Sequence, residues 1–292
     1  MDTLKKLLAG KGTLVTDGAT GTQLAARGLP DGVVPEVWDL ERPDDVRAVA
    51  ASYVEAGSDV ILTNTFGATR FKLAHSGLEK RVLDVNRAAA KAAKEAAGGK
   101  ALVFASVGPT GGMIEPLGDL AEADVISAFA EQARGLVEGG VDGFCIESFS
   151  DLAEAKAALK GIREASTLPV VVSLTFSKGA RGYATLMGVS PEQAARELEA
   201  AGADAVGANC GIGSAQGVEI AQLMRPATKL PLWIKPNAGL PQLVDGKTIF
   251  PESPEEFVKN ALRIAKAGVA FVGGCCGTTP AHIRLFSQKL RA

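Results

Sequence analysis

Residues 267–279 read AGVAFVGGCCGTT, and this stretch combines a turn, a short strand and an unusual pair of side chains. Gly268 ends a helix-like segment, and the apolar run at 269–272 is typical of a buried strand. Cys275 and Cys276 then stand side by side, with glycines before and after them. Neighbouring side chains on a continuing strand point to opposite faces. The pair therefore predicts that the backbone turns here, and the flanking glycines give it the freedom to do so.

The glycine turn at the start of this stretch belongs to a repeat. Each copy joins the end of an amphipathic segment rich in Ala, Glu and Lys to a short β-branched run. A glycine at such a helix end suits a left-handed C-terminal cap, and Ser190-Pro191 and Ser253-Pro254 are typical of helix starts. Related phrases stand at 56–60 (AGSDV), 139–143 (GGVDG), 201–205 (AGADA) and 267–270 (AGVA).

Eight strand and helix units can be counted along the chain. Their mean spacing of about 36 residues is that of a closed (β/α)8 TIM barrel. No linker rich in proline or serine divides residues 1–292, which are therefore predicted to form one barrel domain. An open doubly wound sheet is the alternative, but the glycine-rich nucleotide fingerprint typical of that fold is missing. Strands are predicted at 13–17, 59–63, 101–107, 143–147, 169–175, 203–209, 230–235 and 269–273, and helices around 44–56, 80–97, 121–139, 151–166, 191–201, 215–228, 255–267 and 280–290.

Three connections that follow predicted strands are long, namely 64–79, 176–189 and 236–253. In a barrel these connections gather at the rim where the carboxyl ends of the strands lie, which is where active sites form. The opposite connections are tight glycine turns. The two ends of the predicted barrel therefore differ as those of an enzyme do.

The composition argues against several classes of partner. Lys and Arg number 31 against 33 Asp and Glu, for a net charge of -2, so neither nucleic acid nor an anionic membrane is an expected partner. The first residues lack the apolar core of a signal peptide, and no uncharged apolar stretch is long enough to span a bilayer. A cytoplasmic location is therefore expected. The four cysteines are unevenly spaced, which favours metal ligands or core thiols over a disulfide framework.

Cys210 follows the sixth predicted strand, and the tandem cysteines follow the eighth. Only the seventh strand separates these two in a barrel, so three thiolates, those of Cys210, Cys275 and Cys276, are predicted to hold one Zn²⁺. Three protein ligands leave a position open, as in catalytic zinc sites. The alternative is that these are small buried hydrophobes. Cys145 lies inside the fourth strand and is predicted to fill the barrel, while His75 and His282 are expected to be solvated or capping residues.

Two acidic residues close predicted strands, Asp17 after the first and Glu147 after the fourth. Carboxylates at a barrel mouth need a cationic partner, and a substrate ammonium would serve; a helix N-cap is the alternative role for Asp17. Gly18 and Gly21 let backbone N–H groups of this loop, including that of Ala19, approach a bound carboxylate. Further substrate-binding candidates at the rim are Ser106 and Asn237.

Five motifs together resemble the zinc-dependent homocysteine S-methyltransferase family. The resemblance extends over essentially the whole chain in the family's order, and the combination of GxNC with GGCC is highly specific. Within the family, PNAGLP followed by GKTIFPESPEEF looks most like the homocysteine-binding module of cobalamin-dependent methionine synthase. The motifs are DGATGT at 17–22, TNTFG at 63–67, GANCG at 207–211, PNAG at 236–239 and GGCCGT at 273–278.

This resemblance implies a (β/α)8 barrel whose zinc is held by Cys210, Cys275 and Cys276. It also implies that homocysteine binds zinc through its sulfur, with its amino group near Asp17 and Glu147. Asn237 matches a position that lies near the metal in the homocysteine-binding module of cobalamin-dependent methionine synthase.

The expected reaction is methylation of homocysteine to methionine. Cobalamin-dependent methionine synthase continues into further modules, whereas the sequence stops at Ala292. A corrinoid such as methylcobalamin is therefore expected on a separate chain or as a free molecule. Alternatives are another thiol acceptor, or S-methylmethionine or betaine as the donor. A third hypothesis is a non-catalytic protein that binds zinc or thiol amino acids.

Overall fold

The computed structural model describes Leu4 and residues 8–10, 12–244 and 246–292, apart from the side chain of Lys247. All eight predicted barrel strands are present, and two short hairpins occur in addition. The described strands, numbered in chain order, are β1 Leu14–Val15, β2 Val60–Leu62, β3 Leu102–Val107, β4 Gly143–Phe149, β5 Val170–Leu174, β6 Ser177–Gly179, β7 Gly182–Ala184, β8 Ala205–Gly213, β9 Leu232–Asn237, β10 Gln242–Val244, β11 Lys247–Ile249 and β12 Phe271–Val272.

Eight of these strands form one parallel sheet in the order β1-β12-β9-β8-β5-β4-β3-β2. A parallel bridge between Thr16 and Val60 connects the first strand to the last, and the N–H of Asp59 donates to the carbonyl of Val15 over 2.7 Å. The sheet therefore closes on itself. The predicted (β/α)8 barrel is confirmed.

Eight long helices alternate with the barrel strands at the predicted places. Short helices that were not predicted lie in the connections after β1 and β2, and the helix expected at 215–228 ends earlier and continues as a 3-10 turn, Arg225–Ala227, that contains Pro226. The described α-helices are Gly21–Ala26, Trp38–Glu41, Pro43–Glu55, Arg70–Leu73, Val82–Ala97, Glu122–Gly139, Leu152–Ala165, Pro191–Ala200, Ser214–Met224, Pro254–Lys266 and Pro280–Arg291. Among these, no helix has the length and apolarity needed to cross a membrane.

The predicted helix boundaries are formed by the expected contacts. The hydroxyls of Ser190 and Ser253 accept the N–H groups of Gln193 and Glu256 at the starts of their helices. The predicted helix-ending glycines all have the left-handed backbone that favours this residue, with φ of 95° at Gly57, 90° at Gly140, 91° at Gly202 and 79° at Gly268.

The barrel interior is packed with side chains from alternate positions of its strands. The Trp233 ring stacks on Phe104, with ring centroids 6.2 Å apart, and contacts Phe271 at 5.1 Å. Cys145 is fully buried in the same cluster, which confirms that it fills the barrel. These aromatic rings fill the barrel interior at the level of the strands' middle residues.

Candidate active site

A cavity of about 530 Å³ opens at the carboxyl ends of the strands. Its floor includes all three cysteines singled out from the sequence, together with Ser106 and Glu147. This is the rim at which barrel enzymes bind their substrates. The cavity is therefore the candidate active site.

The three cysteine sulfurs meet on the cavity floor. The Sγ atoms of Cys210, Cys275 and Cys276 all lie within 4.8 Å of one another, and those of Cys210 and Cys276 are 3.9 Å apart. Thiolates bound tetrahedrally at about 2.3 Å from zinc would have their sulfurs about 3.8 Å apart. The spacing of the described sulfurs thus fits one shared metal ion.

Cys210 reaches this position because β8 bulges. Asn209 pairs with Lys235 and Gly213 with Asn237, so three residues of β8 lie opposite one residue of β9. Cys210 itself has φ of 55°, a left-handed conformation that is rare outside glycine. The bulge turns the Cys210 side chain out of the regular strand alternation and toward the cavity.

The tandem cysteines lie on a turn, as the flanking glycines predict. The N–H of Cys275 donates to the carbonyl of Pro236 over 2.8 Å, and the N–H of Thr278 donates back to the carbonyl of Cys275 over 3.1 Å. Gly277 has φ of 79°, and a Cβ atom there would lie 2.2 Å from the Cβ of Phe250. Only glycine fits this position without displacing the Phe250 side chain.

The pKa values of the three clustered thiols are shifted in different directions. Hydrogen bonds from the thiols of Cys275 and Cys276 lower the pKa of Cys210 to about 3. The contact with Cys210 is the largest cause that raises the pKa of Cys275, and it also raises that of Cys276 to about 12. A metal cation bound at these sulfurs would displace thiol protons.

Glu147 lies beside the cluster with 8% of its surface exposed, and it lines the cavity. Its Oε1 accepts the Ser106 hydroxyl over 2.5 Å. Burial raises the pKa of Glu147, while the charge of Lys235 and the bond from Ser106 oppose this shift. A buried acid at a cavity wall is suited to binding a cationic group.

Asp17 has a different environment from the one expected. It is 1% exposed and is not among the residues that line the cavity. Its Oδ1 accepts the ammonium of Lys235 over 2.5 Å, and its Oδ2 accepts the N–H of Leu62 over 2.7 Å. The N-cap position of the nearest helix is Thr20, and both Asp17 oxygens contact other groups, so the alternative of an N-cap is wrong. The cationic partner of Asp17 in this structure is therefore a residue of the protein, Lys235.

Lys235 is a site residue that the sequence reasoning missed. Its side chain is 2% exposed and contributes to the cavity wall. Burial by itself lowers the pKa of Lys235, but the charges of Asp17 and Glu147 outweigh this effect and hold the pKa above its ordinary value. A lysine within the apolar strand LWIKPN was the available signal, because a buried lysine needs an acidic partner.

Gly18 and Ala19 line the cavity as expected. The N–H of Ala19 already donates to the Thr278 hydroxyl over 3.2 Å, and the carbonyl of Ala19 accepts the Tyr53 hydroxyl over 2.8 Å. A Cβ atom at Gly18 would lie 2.7 Å from the Thr278 hydroxyl oxygen. The loop is thus packed tightly, and Ala19 would have to exchange a partner in order to bind a substrate carboxylate.

Asn237 is 2% exposed and lies next to Cys210, whose pKa its side chain helps to lower. Its Oδ1 atom is buried and has no hydrogen-bond partner among the described residues. A buried amide oxygen without a partner is costly. The Asn237 side chain therefore contacts the cysteine cluster through Cys210, as expected of a residue near the metal position.

The wall that is formed by the connections after β1 and β2 carries charges that the sequence did not single out. Glu36 is 2% exposed and accepts the N–H of Gly67 over 2.5 Å, and burial raises the pKa of Glu36. Phe66 and Lys72 line the same wall. The sequence predicted that the connection at 64–79 lies at this rim, but no periodicity or spacing singled out these three side chains.

The two histidines lie where they were expected. His75 is exposed, and His282 accepts the N–H of Thr279 at the start of the last helix over 3.2 Å. Neither belongs to the described cysteine cluster.

Comparison with known proteins agrees with this geometry. The family model described as "Homocysteine S-methyltransferase" matches residues 14–290. Methionine synthase of Mycobacterium tuberculosis (strain ATCC 25618 / H37Rv) is 34% identical over 291 residues, and so is that of Mycobacterium leprae (strain TN). Each alignment covers 93% of this chain but only 24% of the relative, so the chain spans about a quarter of the length of these methionine synthases.

Solved structures show the same fold. The metallated form of the homocysteine methyltransferase MmuM from Escherichia coli superposes with a TM-score of 0.81 at 23% identity, covering 98% of this chain and 99% of MmuM. The carboxyl transferase domain of Rhizobium etli pyruvate carboxylase, with 3-bromopyruvate, has a TM-score of 0.56 at 15% identity, covering 99% of this chain and 49% of that one. These likenesses establish the barrel alone. On the family match and the identity to the methionine synthases, the chain belongs to the homocysteine S-methyltransferase family.

Proposed function

We propose that this chain is a zinc-dependent homocysteine S-methyltransferase that forms methionine and takes the methyl group from a corrinoid. The convergence of three cysteine sulfurs beside a buried acid, in one cavity at the active rim of the barrel, is the observation that carries the proposal. A thiol amino acid needs one partner for its sulfur and one for its ammonium group, and this cavity floor offers both.

The donor set supports zinc at the cluster. Cys210, Cys275 and Cys276 would hold the ion, and sulfur donors favour zinc over magnesium, calcium or manganese. When bound, zinc would lower the pKa of an incoming thiol so that it is a nucleophilic thiolate at neutral pH. A structural zinc is disfavoured, because three cysteines leave a position open.

The remaining floor residues would bind and orient the amino acid. Glu147 would accept the substrate ammonium, and the Ser106 hydroxyl holds the Glu147 carboxylate in place. Asp17 is ion-paired with Lys235 and does not line the cavity, whereas Glu147 does, so Glu147 is the acid that the substrate can reach. The backbone at Gly18 and Ala19 would approach the substrate carboxylate. Fixed contacts of this kind hold the sulfur in line with the incoming methyl carbon.

Glu147→Gln is expected to raise the KM for homocysteine by about 10- to 100-fold, because a charge-assisted contact with the substrate ammonium is lost. Zinc content should stay at the wild-type level, since Glu147 is not one of the clustered cysteines. The measurement is steady-state kinetics with homocysteine, together with thiol-binding titration using 4-mercaptobutyrate, which lacks the ammonium. Equal losses for both thiols would contradict the role given to Glu147.

A corrinoid donor is supported by the resemblance of the PNAGLP and GKTIFPESPEEF segments to cobalamin-dependent methionine synthase. The test supplies zinc-loaded protein and homocysteine with methylcobalamin, with a methylated corrinoid protein, with S-methylmethionine or with betaine, and measures methionine. Methionine from a corrinoid donor alone supports the proposal in full. Zinc and homocysteine binding without product from any donor would leave a non-catalytic binding protein in its place.

A second candidate is direct transfer from a small sulfonium or quaternary ammonium donor. It is favoured by the charged wall of the cavity, where the buried Glu36 carboxylate and the Phe66 ring suit a cationic centre and Lys72 suits a carboxylate. In this reaction the thiolate sulfur bonds to the methyl carbon as the bond from methyl to the cationic centre breaks. The donor leaves neutral with that electron pair. S-methylmethionine or betaine giving methionine in the same assay would identify this case.

The acceptor is tested separately. Other thiols in place of homocysteine, with the donor held constant, distinguish a homocysteine enzyme from a methyltransferase component that serves another thiol. The proposal requires homocysteine to have the highest kcat/KM. A larger value for any other thiol would assign that thiol as the substrate.

A further inference from the structure

Two strands of the barrel are distorted at the cavity floor, and both distortions contain a left-handed residue. In β8 the bulge contains Cys210, with φ of 55°. In β4 the register shifts between Ile146 and Phe149, and Ser148 there has φ of 64°. Within the part of the chain that the structure describes, these are the two non-glycine residues with positive φ. Such conformations are unfavourable outside glycine and persist only where the surroundings hold them.

One side chain connects both distortions. The amide of Asn209, which precedes Cys210 and is fully buried, donates from Nδ2 to the Ser148 hydroxyl over 2.6 Å. Its Oδ1 accepts the N–H of Ser148 over 2.9 Å and the hydroxyl of Ser173 over 2.7 Å. Ser173 lies on β5, between β4 and β8. Asn209 therefore ties three neighbouring strands together at the level of the cysteines.

The same amide also faces the cysteine cluster. Nδ2 of Asn209 lies 3.9 Å from the Sγ of Cys275, within hydrogen-bond range for sulfur. The amide thus links the Cys210 bulge to the turn after β12, two segments that supply the three sulfurs. An N–H group directed at a thiolate withdraws charge from it, and groups that contact metal ligands in this way orient them and tune the metal.

We propose that Asn209 is a positioning residue for the metal centre: its amide holds the Ser148 and Cys210 turns in register and donates an N–H to the Cys275 sulfur. This inference rests on the proposed zinc-binding role of the cluster. In this role Asn209 controls the geometry and electron density of the thiolates, and it contacts neither the substrate nor the ion.

The test substitutes Co²⁺ for zinc and compares wild type with Asn209→Asp and Asn209→Ala. Asn209→Asp keeps the acceptor for Ser148 and Ser173 but loses the N–H groups and adds a negative charge beside Cys275. Both variants are expected to shift the thiolate-to-Co²⁺ absorption band and to lose about 10- to 100-fold in metal affinity, measured by competition with a chelator. Ser173→Ala is the matched control, because it removes one bond to Asn209 Oδ1 and leaves the N–H toward Cys275; its band should match wild type.

Two outcomes distinguish a failure of the role given to Asn209 from a failure of the proposed zinc site. No thiolate-to-Co²⁺ band in wild type would refute a metal centre at this cluster. A wild-type band and wild-type metal affinity in both Asn209 variants would refute the positioning role alone. Circular dichroism and thermal unfolding of the metal-free proteins check that each variant is folded. If Asn209→Ala does not fold, the near-isosteric Asn209→Asp decides the question.

Discussion

Cys275→Ser is expected to lose most of its zinc, while wild type binds about one zinc per chain. The variant lacks one of the three proposed protein ligands of the ion. Because few ligands share the large binding free energy of a zinc site, zinc affinity should fall by about 100-fold or more. Methyl transfer to homocysteine should fall with it, since the thiol would no longer be ionised at neutral pH. The measurement is metal content after dialysis, with a thiol titration on the same samples.

Cys145→Ala is the matched control for this prediction. Cys145 is a free cysteine of the same chain, but it is buried among the aromatic side chains inside the barrel and is not part of the sulfur cluster. Its zinc content should equal that of wild type. Full zinc occupancy in Cys275→Ser, or equal zinc loss in both variants, would contradict the assignment of the cluster as the metal site.

Lys235→Met is expected to destabilise the protein by about 3–5 kcal/mol, because it leaves the Asp17 carboxylate buried without its counter-charge. Both side chains of this pair are 2% exposed. The double variant Asp17→Asn with Lys235→Met should recover much of the loss, since it removes both charges of the pair. Urea unfolding at neutral pH measures all three free energies of unfolding.

The pH dependence of this effect has a definite sign. The pKa of Lys235 is raised in the folded chain, so the contribution of its charge is complete below the unfolded-state pKa and is lost only as the pH rises through the folded-state value. The neutral range therefore shows the full effect. Lys156→Met is the control: its pair with Glu197 is more than a third exposed on both sides and should be worth less than about 1 kcal/mol. Equal losses in Lys235→Met and Lys156→Met would contradict the buried pair.

The barrel could be predicted because its information is local and repeated. Each short apolar run marks one strand, four of these runs follow a helix-ending glycine, and eight runs leave few topologies. The hairpins β6–β7 and β10–β11 could not be predicted in the same way. The described side chains of Ser177–Gly179 and Gln242–Val244 are exposed, so no burial pattern marks these strands.

Residues of the candidate site could be predicted where a single stretch of sequence identifies them. The tandem cysteines between glycines indicated a turn and a cluster, and Glu147 was identified from its place at a strand end. The pairing of Asp17 with Lys235 was not predictable, because these residues are 218 positions apart and meet only when the barrel closes. The extra residues of the β8 bulge also depend on pairing with β9, which no local pattern encodes.

The most direct measurement of the central claim is zinc K-edge X-ray absorption on the protein before and after saturation with homocysteine. The claim is that Cys210, Cys275 and Cys276 coordinate one zinc ion and leave one coordination position for the substrate sulfur. It predicts three sulfur neighbours and a lighter atom around zinc in the free protein, and a fourth sulfur in place of the lighter atom when homocysteine is bound. A sulfur count that does not change with homocysteine, or a zinc ion without sulfur neighbours, would contradict it.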